Sequence, residues 1–155
     1  MIDYQRLYHT GIRVPDLDKA MVEMGAALGV TWATVQQREQ AVWTPASGAM
    51  TVPLRFVYSC EGPQHIELLE GAPGSVWDGS VDPGVHHVGL WCGDVGGETQ
   101  RLLEAGWTLV AAQAPPADGF GAYTYVAPPC GVIVELVRDA LEPMFERWWA
   151  GGALA

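Results

Sequence analysis

The chain has 155 residues, 49% of them hydrophobic, which is enough for one packed domain and excludes long disorder. Eight Lys and Arg against eighteen Asp and Glu leave a formal charge of −10. A surface this acidic repels phosphate backbones and anionic lipid heads, so nucleic acid and membranes are poor partners. No apolar run approaches the roughly 20 residues of a membrane span, and Met1 to Arg6 lacks a signal peptide's pattern. A cytoplasmic location is the expectation. Cys60, Cys92 and Cys130 are odd in number and widely spaced, which predicts free thiols rather than disulfides or a metal pair.

In chain order, the first strand candidate surrounds Tyr8-His9-Thr10-Gly11-Ile12. A helix follows, because Leu17, Ala20, Met21, Met24, Ala27 and Leu28 recur at intervals of three and four, with Asp16 as N-cap and Gly29 as C-cap. Strands are predicted over Thr31 to Gln36, Leu54 to Ser59 and His65 to Leu69. Glu70 to Val85 is dense in Gly, Pro, Asp and Ser and is predicted to be a linker. Beyond it His86-His87-Val88-Gly89-Leu90 opens a second strand. A second helix then runs from Asp94 to Gly106, followed by strands over Trp107 to Ala111, Ala122 to Val126 and Val132 to Val137. Leu141 to Trp149 is an amphipathic tail helix expected to pack on the sheets or on a partner subunit.

The two halves say similar things. His9-x-Gly11 recurs as His87-x-Gly89, and Ile66-Glu67-Leu68-Leu69 recurs as Val134-Glu135-Leu136-Val137. The expected class is α+β: two tandem βαβββ modules, residues 1–75 and 76–140, with a C-terminal helix and tail over 141–155. Neither module buries both faces alone. Together they are expected to form one partly closed, curved sheet of eight strands around a central site.

Within that repeat, His9, Glu67, His87 and Glu135 occupy equivalent places in opening and closing strands. Imidazole nitrogens and carboxylate oxygens suit a divalent cation of intermediate hardness, and two carboxylates balance its charge. Any one of these residues alone is more often a structural His or a solvent-facing Glu. Their joint recurrence is what points to a metal.

The string His-x-Gly-Ile-x-Val-Pro-Asp-Leu-Asp, then Ile-Glu-Leu-Leu-Glu, Gly-Val-His-His-Val-Gly and Gly-Val-Ile-Val-Glu-Leu-Val resembles the vicinal oxygen chelate superfamily. More narrowly, it is similar to the glyoxalase-like branch that includes methylmalonyl-CoA epimerase. The likeness runs from Tyr8 to Val137, with Gln36 to Thr51 matching poorly. The resemblance implies one divalent metal (zinc, manganese, cobalt, nickel or iron(II)) on His9, Glu67, His87 and Glu135. It also implies proton abstraction beside a carbonyl with the enolate stabilised by the metal, and Glu135 or Glu67 as the acid/base. His86, corresponding to Tyr8, is given a supporting role. In the epimerase a further Glu lies in a Glu-Gln-Gly-Val-like stretch; Glu39-Gln40-Ala41-Val42 departs from it, and Glu39 stays outside the catalytic set.

The leading expectation is therefore a metal-dependent isomerase or epimerase. Two alternatives stand beside it: an extradiol-type dioxygenase using His9, His87 and Glu135, and a metal-free small-molecule binding or resistance protein. For the substrate pocket, the seven Trp are notable. Trp32, Trp43, Trp77 and Trp91 are placed to border a concave sheet, and Tyr123 and Tyr125 share a strand face. A small, aromatic or apolar organic substrate is expected, with acyl-CoA less favoured because the chain has a single Lys and dispersed Arg. A homodimer is expected from the paired-module architecture.

Overall fold

The computed structural model describes residues 1–155. Eight strands and three helices follow in the order β1 (Leu7–Arg13), α1 (Leu17–Leu28), β2 (Gln36–Thr44), β3 (Gly48–Tyr58) and β4 (His65–Gly71), then β5 (Gly84–Cys92), α2 (Val95–Glu104), β6 (Thr108–Ala112), β7 (Tyr123–Ala127), β8 (Ile133–Arg138) and α3 (Glu142–Trp149). The helix starts are set by side chains: Asp16 accepts from the Lys19 N–H and Asp94 from the Gly97 N–H, satisfying donors the first turn leaves free. Gly29 ends α1 in the left-handed region, at φ 69°.

The strands close in the order β1-β4-β3-β2-β6-β7-β8-β5. Each module thus repeats one topology, with its first strand parallel to its last: β1 on β4, and β5 on β8. The modules meet antiparallel at β1 and β5, through a long ladder, and again at β2 and β6. The second seam is a single residue pair, Trp43 with Ala112, so the sheet expected to be partly closed is closed by one narrow junction. Here the Tyr123 hydroxyl donates to the Ala41 carbonyl at 2.7 Å, adding a side-chain stitch.

Most predicted elements fall where the residue pattern put them; one does not. Thr31 to Gln36 holds only an isolated bridge, Trp32 to Ser59, and the strand is the polar stretch Gln36–Thr44. Nine consecutive pairings with β3 fix it, while Gln37 and Glu39 face solvent, so the backbone ladder outweighs an unpromising composition. The segment predicted to be a linker is also more than a tether. Its ends belong to β4 and β5, and Trp77 is driven to 1% exposure with its indole N–H donating to the Tyr125 hydroxyl at 3.0 Å.

Each module's helix covers its own outer sheet face: α1 over Val57 and Leu68, α2 over Leu109, Val126 and Leu136. The largest core lies inside the barrel and under α3, where Tyr8, Phe56, Tyr58, Trp77, Tyr125 and Trp148 are buried. Thus α3 packs on the chain's own barrel: Trp148 is fully buried and its indole donates to the Thr34 carbonyl at 3.0 Å. The three cysteines are free thiols. No helix is long and apolar enough to cross a membrane.

Candidate metal centre and cavity

His9 on β1, Glu67 on β4, His87 on β5 and Glu135 on β8 come together inside the barrel, all four buried. Their potential ligand atoms lie within 4.8 Å of one another. The two imidazole Nε2 atoms are 2.9 Å apart. Glu67 Oε2 lies 3.3 Å from His9 Nε2 and 3.1 Å from His87 Nε2, and Glu135 Oε2 lies 3.1 and 3.4 Å from the same atoms. Neighbouring ligands on a metal at about 2.1 Å stand about 3.0 Å apart in an octahedron and about 3.4 Å apart in a tetrahedron. The cluster's His–His and His–Glu distances match these spacings. Its chemistry fits as well, because Glu67 Oε2 is buried without a hydrogen-bond donor.

The cross-barrel register explains why each His is followed two residues later by Gly. In the antiparallel β1–β5 pair, His9 faces Gly89 and Gly11 faces His87. A Cβ on Gly89 would fall 1.8 Å from His9 Cε1, and one on Gly11 would fall 2.0 Å from His87 Cε1. Each glycine is the slot through which the other module's imidazole passes. A second device places Tyr8 and His9 on the same side: the β1–β5 register shifts between Leu7 and His9, so consecutive residues are both buried.

Electrostatics tie the four groups together. Burial would disfavour a charged His87, yet the Glu135 and Glu67 carboxylates outweigh it and push its pKa up to about 9. His9 is raised for the same reason, against the same burial. Burial likewise works to raise both glutamates, but the imidazoles hold them below the ordinary carboxylate value. His86, pushed down to about 3 by burial and by His87, stays neutral, and its Nδ1 lies 2.9 Å from His87 Nδ1. That contact orients the His87 ring so that Nε2 faces the cluster. Without metal, the His87 contribution to stability is complete below its unfolded value near 6.5 and is lost as pH rises through about 9. Thermal melts in chelator should therefore show Tm falling between pH 6.5 and 9, and a divalent ion should abolish the fall by taking the proton's place. A flat chelator profile would contradict this arrangement.

The two glutamates also line a cavity of about 250 Å³ inside the barrel, below the roughly 300–1,000 Å³ of drug-sized sites and suited to a compact molecule. Its walls are Tyr8, Phe56, Tyr58, Trp77, Tyr123 and Tyr125, with Leu54, Leu69 and Val137; Leu141, Met144 and Phe145 cover it. Tyr58 pairs across strands with Glu67 and Tyr125 with Glu135, so the repeat sets one tyrosine opposite each glutamate, and both tyrosines line the cavity. Burial, then the carboxylate charges, hold Tyr125 neutral as an O–H.

Tyr123 lines this cavity as its strand alternation allowed, but Trp32, Trp43 and Trp91 do not. Trp32 packs beside α1 with its indole donating to the Met21 carbonyl, Trp43 packs with the second module's outer core, and Trp91 stacks on Tyr8 at 3.8 Å. The aromatic wall is thus mainly tyrosine, with Trp77 contributed by the connection. Arg38 and Gln40 of β2 also line the cavity, whereas Glu39 between them faces outward. Sequence reasoning missed these two because Gln36 to Thr51 matched no pattern; the alternation of an identified β2 would have paired them with Val42 on the inner face.

Two βαβββ modules holding a buried His–Glu–His–Glu cluster in a closed barrel define a class of scaffold able to hold a metal ion. The chain belongs to the Glyoxalase/Bleomycin resistance protein/Dioxygenase superfamily, whose sequence model matches residues 8–126. Among solved structures it is similar to Streptomyces coelicolor methylmalonyl-CoA epimerase, a variant in complex with 2-nitronate-propionyl-CoA, at TM-score 0.60 and 23% identity over 87% of this chain and 94% of that one. The epimerase from Mycobacterium tuberculosis matches at TM-score 0.60 and 20% identity, covering 92% and 95%. A 4-hydroxymandelate synthase mutant from Streptomyces coelicolor matches at TM-score 0.55 and 19% identity, covering 86% of this chain and 37% of that one. At these identities the likeness is one of fold. No curated protein matches the sequence.

Proposed function

We propose that this protein is a divalent-metal-dependent isomerase or epimerase that removes a proton next to a carbonyl and returns it. The observation that carries the reading is that both carboxylates of the His–Glu cluster also face the cavity. An ion held by His9, Glu67, His87 and Glu135 would supply Lewis acidity, stabilising negative charge on two neighbouring substrate oxygens. Glu135 and Glu67 reach the cavity from different modules, and either carboxylate, once released from the ion, would take the proton and return it. The neutral phenols of Tyr58 and Tyr125 line the same cavity as hydrogen-bond donors for a substrate, and its apolar walls limit the access of water. Glu39, on the outer face of β2, takes no part.

The substrate is a small apolar or aromatic molecule. The extradiol reading is less well supported, because three protein ligands suffice there and Glu67 is a fourth, as close to the two imidazoles as Glu135. Elemental analysis should find about one zinc, manganese, cobalt, nickel or iron(II) per chain, lost in His9→Ala. The loaded protein should exchange a substrate C–H for deuterium from solvent across a panel of α-hydroxyketones and acyl thioesters. A protein that retains none of these ions would overturn the reading and move the protein to the metal-free binding class.

A further inference from the structure

The cavity lining contains one cation, Arg38. Arg6 is paired with Glu142, Arg13 with Asp82, Arg55 with Glu70 and Asp18, and Arg101 with Glu98, whereas Arg138 and Arg147, which form no ion pair, lie away from the cavity. Arg38 makes no hydrogen bond or ion pair. Its guanidinium lies 4.7 Å above the buried Phe56 ring, a contact that holds the planar group in place without using any of its five N–H donors. The adjacent acid, Glu39, faces the other side of the strand, and the cavity's own carboxylates are engaged by His9 and His87. In a chain with eighteen acids and eight basic residues, this unpaired guanidinium at a cavity wall has the chemistry to receive an anion. Gln40 follows it on the same face, and Gln113 and Tyr123 flank it across the β2–β6 seam, adding neutral polar groups.

We infer that Arg38 recognises a single carboxylate on the substrate, borne at the end remote from the oxygens that approach His9 and His87. The substrate class is thus a compact aromatic or apolar monocarboxylic acid; its chelating end rests on the proposed function above, its anionic end does not. Arg38 stands on β2, a wall that carries none of the four metal-site residues, so the two ends are read by different strands. One guanidinium in a chain of net charge −10 matches one negative charge and is poorly matched to the clustered phosphates of a coenzyme A.

The test is binding of 3-phenylpropanoate, 3-phenylpropanamide and 2-phenylethyl phosphate to chelator-treated protein, followed by calorimetry and by Trp fluorescence, with Trp77 as the reporter in the wall. The acid should bind at least about tenfold more tightly than the amide. Arg38→Gln should abolish that preference without changing Tm, and Arg38→Lys should restore part of it. Equal binding of acid and amide, or an acid preference that survives in Arg38→Gln, overturns the inference; tighter binding of the phosphate through Arg38 overturns the carboxylate assignment. Because the titration needs no metal, its failure is separable from that of the isomerase reading. Acid selectivity through Arg38 in a protein that exchanges no deuterium would keep the anion site and remove the isomerase.

Discussion

Glu135→Gln is expected to lower solvent-deuterium exchange by at least about a thousandfold while leaving the fold intact. Glutamine has nearly the same shape, so β8 keeps its register with β5 and β7. What goes is the charge. The site loses one of two carboxylates that balance a dication, which weakens metal affinity by about a hundredfold or more, and it loses a group able to carry the proton, worth about 10²- to 10⁴-fold. Exchange measured at saturating metal isolates the second effect. Glu39→Gln is the control, since its side chain points outward from β2, and it should exchange at the wild-type rate. Loss of exchange in Glu39→Gln with retention in Glu135→Gln would reverse the assignment of the base.

The second large effect comes from residues that ligate nothing. Gly89→Ala should eliminate metal binding and destabilise the protein by about 1–3 kcal/mol or more, because the new methyl would overlap the His9 ring, 1.8 Å from Cε1. His9 is buried at 1% exposure and has no space into which to retreat without leaving the cluster. Gly11→Ala should act in the same way on His87, and the repeat symmetry predicts that the two variants resemble each other. Gly29→Ala provides contrast. There a methyl meets nothing within 4 Å, and the cost is only the left-handed backbone at φ 69°, about 1 kcal/mol, with full metal content. Elemental analysis alongside thermal melts checks all three. Normal metal in Gly89→Ala would mean that the β1–β5 register is not what confines the imidazoles.

Much of this site is legible in the sequence because it is written twice. The His-x-Gly phrase and the closing Glu phrase recur in two halves, and recurrence selects four residues from a chain with four His and many acids. The helices were legible too, since Asp16, Gly29 and Asp94 are local signals whose effect depends on their own neighbours. The sequence by itself therefore determined the modules, the four proposed metal ligands and the glycines that accompany them. Tertiary structure decided what those ligands face. Alternation shows that Tyr123 and Tyr125 share a side of β7, and that Arg38 and Gln40 share one of β2, but not which side is inward. That choice is made when β2 pairs with β3 and the barrel shuts at Trp43 and Ala112, contacts between residues distant in the chain. The same closure sends Trp32, Trp43 and Trp91 to other packing sites and brings Trp77 in from the connection, because burial of a large ring is settled by the space left among non-local partners rather than by its own strand.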